Sequence, residues 1–271
     1  MADFQEVFQR KEKKYCITST QRAGLARILR EHGYAVDSYG QTWISSMYYD
    51  TSRYDLICRS LEKPLYKEKL RIRSYEPDAF ATPLQTVFVE LKKKFKGVVY
   101  KRRINVTLEQ AQALLSGSLS PNDLNVQRPL NAQEIAQCAQ RYGQLSPAIT
   151  IRCLREAWAL AEPDAAVADA ASQYGAGALS QPGVRITFDS QLQARDERAL
   201  PQGMRSAGVQ HGEWWRIMDA DQSILEIKAY GAYPLWLAEA LSELDIRPCS
   251  FSKYGTAFQQ MNYMKEGIRY A

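Results

Sequence analysis

Histidine is scarce in this sequence, which has only His32 and His211 among 271 residues. His32 stands directly before Gly33, where a helical pattern is expected to end, so its position favours a capping role. His211 lies in the turn-like stretch VQHGEW. Enzymes that activate a nucleophile through histidine, and metal sites rich in histidine, are therefore poorly supported.

Paired cysteines and long apolar runs are also missing. The five cysteines are scattered and include no C-x-x-C pair: Cys16, Cys58, Cys138, Cys153 and Cys249. Such an odd, dispersed set predicts neither a disulfide framework nor a zinc site, and it favours a reducing, cytoplasmic compartment. No apolar run reaches the roughly 18 residues of a membrane span, and the first residues contain no apolar core. We therefore expect neither a membrane span nor a secretory signal.

The glycine-rich loops that commonly bind nucleotides are absent as well. The chain contains neither G-x-x-x-x-G-K-[ST] nor G-x-G-x-x-G, so a bound nucleotide would be held by side-chain cations. The net charge of +5 is only mildly basic. A protein that coats nucleic acid would need more charge, so we expect no nucleic-acid partner, and any anion site must arise from local clustering.

Alternating and helical patterns outline the secondary structure. Strands are predicted over 6–18, 42–51, 65–75, 86–95, 98–106, 148–160 and 184–189, with a hairpin of 214–218 and 224–230. Helices are predicted over 19–33, 107–117 and 131–143, and from Pro234 and Ser252. Residues 52–61 are predicted to form a short helix or a turn. About eight strands with helices at intervals predict an α+β fold whose large antiparallel sheet closes on itself.

No gap divides the chain, so we interpret residues 1–271 as a single domain. The stretch 161–183 is rich in Ala, Gly and Ser, and a strand pattern resumes directly after it. We interpret this stretch as a flexible insertion rather than a linker between domains.

Period-two alternation places charged side chains on one face of the strands. Strand by strand, this face carries Arg10, Glu12 and Lys14; Lys69, Arg71 and Arg73; Phe88, Glu90, Lys92 and Lys94; Lys101 and Arg103; Arg155; Arg185, Thr187 and Asp189; and Glu226 and Lys228. The opposite face is mostly apolar, with residues such as Leu70, Val89 and Ile227. Lys93 and Arg102 interrupt that apolar face.

Two interpretations of the charged face remain open. It could be the solvated face of an open sheet, although such faces usually mix both signs of charge. It could instead enclose an anion, because two like charges about 7 Å apart repel by roughly 2.4 kcal/mol at an effective dielectric of 20 but by only about 0.6 kcal/mol in water. The carboxylates of the same face could pair with the cations or hold Mg²⁺ or Mn²⁺ beside phosphates.

Seven short motifs follow one another in an order that resembles a known family. They are EKKY at 12–15, KLRIRSY at 69–75, FVELKKK at 88–94, KRR at 101–103, VRITFD at 184–189, LEIK at 225–228 and FSKYG at 251–255. Together they resemble the VTC domain, the polyphosphate polymerase domain of the triphosphate tunnel metalloenzyme (CYTH-like) superfamily. The resemblance runs from about residue 8 to residue 264.

The resemblance implies a tunnel formed by an antiparallel β-barrel, in which a phosphotransferase uses Mn²⁺ or Mg²⁺ to move the γ-phosphate of ATP onto a growing polyphosphate chain. It implies catalytic roles for Lys14, Arg71, Arg73, Lys92, Lys101, Arg155, Arg185 and Lys253. It implies phosphate binding by Arg10, Lys69, Lys94, Arg103, Lys228, Ser252 and Tyr254. Glu226 would be the principal metal ligand, supported by Glu12 and Glu90.

Three functions stay open under this resemblance: a polyphosphate polymerase, a hydrolase of tripolyphosphate or organic triphosphates, and a polyphosphate-binding module without catalysis. Cys153 departs from the family pattern, which often has tyrosine two residues before the arginine that corresponds to Arg155. The family's membrane segments are absent from this sequence, so any coupling to translocation would require a separate membrane partner.

Overall fold

The computed structural model describes residues 10–76, 79–161, 184–198 and 212–269. These ranges contain nine strands: β1 Arg10–Thr18, β2 Tyr34–Asp50, β3 Tyr66–Ser74, β4 Thr86–Phe95, β5 Val98–Thr107, β6 Ser146–Leu160, β7 Arg185–Asp196, β8 Trp215–Arg216 and β9 Gln222–Tyr230. They also contain six α-helices: α1 Ser19–Glu31, α2 Asp55–Leu61, α3 Leu108–Ser116, α4 Pro129–Tyr142, α5 Leu235–Glu243 and α6 Lys253–Arg269. None of the helices within the described ranges is long and apolar enough to cross a membrane.

The strands form one sheet with the hydrogen-bonded order β1-β9-β7-β6-β2-β3-β4-β5, and β8 pairs with β7. The pairings whose registers are defined are antiparallel, which confirms the α+β antiparallel fold. The predicted closure into a barrel was wrong for the described strands, because the order ends at β1 on one side and at β5 on the other. Period-two alternation predicts which face of a strand a side chain occupies. It does not predict which strands pair, so it could not test whether the sheet closes.

The predicted hairpin between 214–218 and 224–230 was also wrong. Within the described chain β8 pairs with β7, through Gln193 with Arg216 and Ala194 with Trp215, whereas β9 pairs with β1 and β7. The strands predicted over 86–95 and 98–106, by contrast, do form a hairpin, β4–β5, as Gly97 between them indicates. Its turn residues Lys96 and Gly97 both have positive φ, as a two-residue turn between twisted antiparallel strands requires.

The chain contacts divide the protein into two compact units. The first unit comprises Met1–Gln41, Arg155–Ser190 and Ala220–Phe251, and the second comprises Thr42–Leu154, Gln191–Asp219 and Ser252–Ala271. The interpretation of residues 1–271 as one domain stays a prediction, and the predicted insertion after Ala161 lies outside the described residues.

The core of the first unit is formed by apolar residues of β1, β7 and β9 with α1 and α5. Tyr15, Ile186 and Leu225 from the strands are buried together with Leu25 and Leu237 from the helices. A capping box stabilises the start of α1, since Thr18 and Gln21 exchange side-chain and backbone hydrogen bonds. Because every second side chain of these strands is buried in this core, the charged side chains between them lie on the opposite face of the sheet.

The core of the second unit is formed by β3, β4 and β5 with α3 and α4. Leu70, Val89 and Ile104 are buried against these helices. The two cations that interrupt this apolar face are accommodated by one acid of α4, because Lys93 and Arg102 both pair with Glu134. The alternation of β3 to β5 is therefore kept without an unpaired cation at either position.

Asp50 connects β2, α2 and α6 in the second unit. Its buried carboxylate accepts hydrogen bonds from the backbone N–H groups of Thr51 (2.9 Å), Leu56 (2.9 Å) and Ile57 (3.1 Å). It also accepts one from the Tyr254 hydroxyl at 2.8 Å. These four bonds hold the first turn of α2 and the start of α6 to the end of β2.

Replacing Asp50 by asparagine should destabilise the protein. An amide offers one acceptor oxygen and turns its NH₂ group toward donors, so we expect Asp50→Asn to lower the free energy of unfolding by about 2 kcal/mol. Urea unfolding measures this change. The control is Asp245→Asn at an exposed position, which should stay within about 0.5 kcal/mol of the parent protein. Equal stability of the two variants would contradict the role given to Asp50.

Candidate functional site

The charged face of the second unit is organised in cross-strand rows on β3, β4 and β5. In one row Lys69, Lys92 and Lys101 are direct partners, and two residues along the strands Arg71, Glu90 and Arg103 are direct partners. We call the residues of these rows, together with Arg73, the Glu90 cluster. It combines six cations with one carboxylate, so its charge is strongly positive.

Glu90 is the carboxylate at the centre of this cluster, and its side chain is 1% exposed. Its Oε2 accepts hydrogen bonds from Arg71 Nε at 2.8 Å and Arg71 Nη2 at 2.6 Å. Its Oε1 accepts from Arg103 Nε and Lys101 Nζ, both at 2.6 Å. Burial alone would raise the pKa of Glu90, but the charges of Arg71, Arg73 and Lys101 outweigh it and hold the pKa well below its usual range. Glu90 is therefore an ionised anchor for cations.

The row of three lysines has no carboxylate of its own. Lys69 donates to Ser252 Oγ at 2.8 Å, and Lys101 contacts Glu90 in the neighbouring row. Burial lowers the pKa of Lys101 despite Glu90, and the charges of Arg103 and Arg71 act in the same direction. Like charges placed directly opposite one another on a sheet are unfavourable. The arrangement is therefore suited to a multivalent anion that contacts several of these side chains at once.

Tyr48 is a buried member of this site that alternation alone did not single out. Its hydroxyl accepts a hydrogen bond from Arg71 Nη1 at 3.0 Å, and its ring stacks on Tyr254 with centroids 4.4 Å apart. Burial would raise its pKa, but the charges of Arg71, Lys69 and Arg73 outweigh burial and lower the pKa to about 8. One sequence signal could have identified Tyr48. It lies two residues from Ser46 on β2, so the two side chains share one face, and Ser46 accepts a hydrogen bond from Arg73.

The FSKYG motif begins α6, and its residues have different surroundings. Ser252 Oγ caps the helix by accepting from Gly255 N at 3.1 Å, besides its bond from Lys69. Lys253 Nζ contacts Cys153 Sγ at 3.5 Å. Tyr254 is 1% exposed and donates to Asp50, so the structure gives it a supporting contact, while its predicted binding of phosphate remains a prediction.

The charged face of the first unit carries a second group of ionisable residues, the Glu226 cluster. It consists of Glu12, Lys14, Arg155, Arg185, Thr187, Asp189, Glu226 and Lys228. Thr187, Glu226 and Lys14 form one cross-strand row on β7, β9 and β1, and Arg185, Lys228 and Glu12 form the next. Positive and negative side chains are more evenly mixed here than in the Glu90 cluster.

The two carboxylates at the centre of this cluster have different partners. Asp189 is fully buried and accepts bidentate hydrogen bonds from Nε and Nη2 of Arg155, at 2.6 and 2.7 Å. Glu226 Oε1 lies 2.5 Å from Lys228 Nζ, whereas its Oε2 lies 3.8 Å from Arg155 Nη2, beyond hydrogen-bond distance. Burial would raise the pKa of Glu226, but Lys228, Lys14 and Arg155 together hold it well below its usual range.

Thr187 lies beside Glu226 with an unsatisfied hydroxyl. The residue is 3% exposed, and its Oγ1 has no hydrogen-bond partner among the described residues. A buried hydroxyl without a partner costs free energy, so its retention on the charged face points to a ligand or a water molecule. Thr150 Oγ1 is similarly buried and unpartnered, but it has the opposite strand parity to Arg155 on β6.

The carboxylates of the two clusters differ in how well they could bind a divalent cation. No group of three or more His, Cys, Asp or Glu within the described ranges could hold a metal by itself. Glu90 does not fit, because both of its oxygens already bind cations. Glu226 fits better, since Oε2 could share an ion with phosphate oxygens, as Mg²⁺ sites commonly do. Glu12 is partly exposed, 3.9 Å from Lys14 Nζ.

The predicted residues thus belong to different clusters. In the second unit the structure brings together Lys69, Arg71, Arg73, Glu90, Lys92, Lys101 and Arg103, with Ser252 bonded to Lys69. In the first unit it brings together Glu12, Lys14, Arg155, Glu226 and Lys228. Lys94 and Arg185 are exposed, and Arg10 begins β1 with its backbone paired to Tyr230.

Comparison with known proteins gives a family and a set of distant structures. The VTC domain family matches residues 9–167 and 171–262. A comparison with curated proteins gave no significant match. Several solved structures also align with the chain, at low sequence identity and with TM-scores from 0.42 to 0.46.

Three of these structures illustrate the distance. A candidate adenylate cyclase from Bacillus halodurans is 12% identical with a TM-score of 0.46, and the alignment covers 90% of this chain and 95% of the other. A Pyrococcus horikoshii protein is 13% identical with a TM-score of 0.43, covering 94% and 98%. A candidate adenylyl cyclase from Hippeastrum, described with a dominant triphosphatase activity, is 13% identical with a TM-score of 0.42, covering 90% and 92%.

Tyr48 should ionise at a lower pH than an ordinary tyrosine. Because its pKa is lowered to about 8, we expect the phenolate absorbance of the parent protein minus that of Tyr48→Phe to rise near pH 8. An unfolded tyrosine ionises near pH 10, so the unfolded state holds more protons between these values. The free energy of unfolding of the parent should therefore increase with pH relative to Tyr48→Phe in that interval.

The urea-unfolded protein provides the control, because its tyrosines should ionise near pH 10, the ordinary value for tyrosine. A Tyr48 difference titration in the folded protein with the same midpoint would contradict the inferred effect of the surrounding cations.

Proposed function

The chain belongs to the VTC domain family, and on this premise we propose that it is a polyphosphate polymerase. The proposed reaction transfers the γ-phosphate of ATP to the terminal phosphate of a growing inorganic polyphosphate chain. ATP and polyphosphate are the proposed partners, and one domain in the cytoplasm is the proposed setting. Any coupling to transport would require a separate membrane protein.

The observation that carries this proposal is the excess of positive charge in the Glu90 cluster. The cluster has six cations and one carboxylate, and four of these cations pair with Glu90, namely Arg71, Arg73, Lys101 and Arg103. Two such charges about 7 Å apart repel by roughly 2.4 kcal/mol at an effective dielectric of 20, although partial exposure reduces this figure. A polyphosphate chain relieves this repulsion because successive phosphates present negative charge along an extended line.

The proposed chemistry matches the residue types. Phosphoryl transfer depends mainly on positioning and on neutralising the charge of the phosphoryl oxygens. The attacking group would be a terminal phosphate that is already ionised, so no strong base is required. We assign charge neutralisation to Lys14, Arg71, Arg73, Lys92, Lys101, Arg155, Arg185 and Lys253, and further phosphate contacts to Arg10, Lys69, Lys94, Arg103, Lys228, Ser252 and Tyr254.

Glu90 would act by orienting cations. It binds the Nε and Nη2 atoms of Arg71 and Nε of Arg103, so it fixes the planes of two guanidinium groups. A fixed guanidinium can present its remaining N–H groups to phosphate oxygens without losing further conformational freedom. We therefore assign Glu90 a positioning role in place of the metal-binding role that its sequence position implied.

Glu226 is the proposed residue for Mn²⁺ or Mg²⁺, with Glu12 as a weaker candidate. Such an ion would supply charge neutralisation at phosphate oxygens. The protein's own contribution in this cluster is to keep Glu226 ionised, through Lys228, Lys14 and Arg155. Asp189 holds the guanidinium of Arg155 in a fixed plane.

Hydrolysis of tripolyphosphate or an organic triphosphate is the alternative that one observation favours. Attack by water requires a proton acceptor, and Tyr48, with a pKa lowered to about 8, is bonded to Arg71 within the cationic cluster. If hydrolysis is the activity, Tyr48→Phe should reduce it most strongly above pH 8. A polymerase would tolerate the loss of this hydroxyl better.

The decisive experiment incubates the protein with ATP, a pyrophosphate primer and Mn²⁺ or Mg²⁺, and resolves ADP, phosphate and polymer on one gel. Polymer formed together with ADP supports the polymerase. Phosphate released without polymer supports the hydrolase. Unchanged ATP, with tripolyphosphate binding that survives chelation of the metal, would support a binding module and contradict both enzymatic proposals.

Two adjacent lysines on β4 test whether the charged face binds phosphate. Lys92 lies in the lysine row, whereas Lys93 pairs with Glu134 on the opposite face. Lys92→Gln should weaken tripolyphosphate binding about tenfold or more, because hydrogen bonds to charged groups contribute about 1.5–3 kcal/mol. Lys93→Gln should leave binding unchanged and lower stability by up to about 1 kcal/mol. Isothermal titration and urea unfolding measure the two effects, and equal affinities of both variants for tripolyphosphate would contradict the assignment.

Thr187→Val tests whether the unsatisfied hydroxyl beside Glu226 serves a ligand. Removing an unpartnered buried hydroxyl should raise the stability of the ligand-free protein by about 1 kcal/mol. In the presence of Mn²⁺ the same variant should bind tripolyphosphate about threefold to tenfold more weakly, since one hydrogen bond is lost. Isothermal titration and thermal unfolding measure the two effects.

The matched control is Thr150→Val, which removes the other buried and unpartnered hydroxyl. It should raise stability in the same way and leave binding unchanged. If Thr187→Val also left the affinity for tripolyphosphate unchanged, Thr187 would have no role toward a ligand.

A further inference from the structure

Two of the cysteines that are distant in sequence meet at the edge of β1. Along β1, Tyr15 is buried in the core of the first unit, whereas Lys14 and the exposed Cys16 have the opposite parity. Past α5 the chain returns to this strand, where Tyr15 and Pro248 form an antiparallel bridge. The backbone N–H of Cys249 donates to the carbonyl of Lys14 at 2.7 Å. The returning segment is thus held next to Cys16 by backbone bonds.

The sulfur atoms of this pair are in direct contact. Cys16 Sγ and Cys249 Sγ lie 2.7 Å apart, although the residues are 233 positions apart in sequence. A disulfide bond has an S–S length of about 2.05 Å, so bonding requires the sulfurs to move closer by only about 0.7 Å. Cys138 and Cys153 are buried and contact Glu68 and Lys253 respectively. The fold therefore selects Cys16 and Cys249 among the five cysteines.

We propose that Cys16 and Cys249 are an oxidative modification site that forms a reversible disulfide within one chain. The oxidant would be a hydroperoxide such as hydrogen peroxide. Two S–H bonds and the O–O bond break, and one S–S bond forms. The two thiols lose two electrons and two protons to the peroxide, which leaves as two water molecules. A small thiol restores the pair by thiol–disulfide exchange.

The surroundings explain why the reduced pair persists until an oxidant arrives. Burial and the adjacent Cys249 sulfur raise the pKa of Cys16 to about 12, so this thiol is protonated near neutral pH. The thiolate is the form that attacks an oxidant, so the protonated Cys16 thiol resists trace oxidants and requires hydrogen peroxide in excess. Transient disulfides of this kind are the ones expected in a reducing compartment.

The bond would fasten the segment that carries Phe251 to β1. Phe251 O already accepts a contact from Lys14 Nζ at 3.5 Å, and Lys14 is the cross-strand partner of Glu226. A covalent link across 233 positions also restricts the unfolded chain. The oxidised protein should therefore unfold at a higher temperature than the reduced protein. This expectation does not depend on the proposed polymerase activity.

The test oxidises the full-length protein with hydrogen peroxide near neutral pH, then blocks the remaining thiols and digests the protein without reductant. We expect the free-thiol count to fall from five to three, with one peptide linking Cys16 to Cys249. The melting temperature should rise, and dithiothreitol should reverse both changes. Five remaining thiols, a different linked pair or a link between two chains would overturn the proposal.

Variants separate this link from general oxidation. Cys16→Ser and Cys249→Ser should each abolish the linked peptide and the rise in melting temperature. Cys58→Ser removes a cysteine of the second unit and should retain both. If one of the first two variants fails to fold, the other variant and the parent peptide map still decide the outcome. A rise in melting temperature that persists in Cys16→Ser would contradict the inferred disulfide.

Discussion

The contact between the buried Glu90 carboxylate and its surrounding cations is the interaction on which the second unit's charged face depends. Arg71, Arg103 and Lys101 all bind this one carboxylate, and each would otherwise repel the others at close range. Removing the acid would leave a cluster of partly buried cations with no internal counter-charge, which is among the costly changes in a protein. One anion thus holds the guanidinium groups of Arg71 and Arg103 in fixed orientations.

The same cluster has an excess of positive charge, since it contains six cations and one carboxylate. The fold sustains this excess because the opposite parity of the same strands is buried against α3 and α4, with Leu70, Val89 and Leu91 fully buried. A one-residue slip of β4 would bring Glu90 and Lys92 into that core. Apolar burial therefore fixes the register, and the register brings the three lysines into one row. Stability thus comes from one face of these strands, and the proposed affinity for an anion comes from the other.

The local sequence pattern predicted much of this arrangement. It did not predict the features that depend on pairing between segments distant in sequence. Alternation predicted that Glu90 and Leu91 lie on opposite faces, and helical spacing predicted a helix over 107–117, where α3 Leu108–Ser116 forms. The open sheet and the pairing of β8 with β7 depend on hydrogen bonds between distant segments, which period-two spacing does not encode. Lys93 and Arg102 interrupt the apolar face, and the local sequence pattern gives no reason for them. In the structure both side chains pair with Glu134 of α4.

The surroundings of Glu90 and Glu226 differ in a way that the sequence alone does not predict. Both are glutamates on the charged parity of a central strand within a short family motif, so the resemblance gave them the same kind of role. The register surrounds Glu90 with cations on both oxygens, whereas it places Glu226 between Lys14 and an unsatisfied Thr187 hydroxyl, with Oε2 beyond hydrogen-bond distance of Arg155. A carboxylate can share a metal ion with phosphates only through an oxygen that its neighbours leave available. The neighbouring strands, rather than the glutamate itself, therefore decide which acid orients cations and which can bind a metal ion.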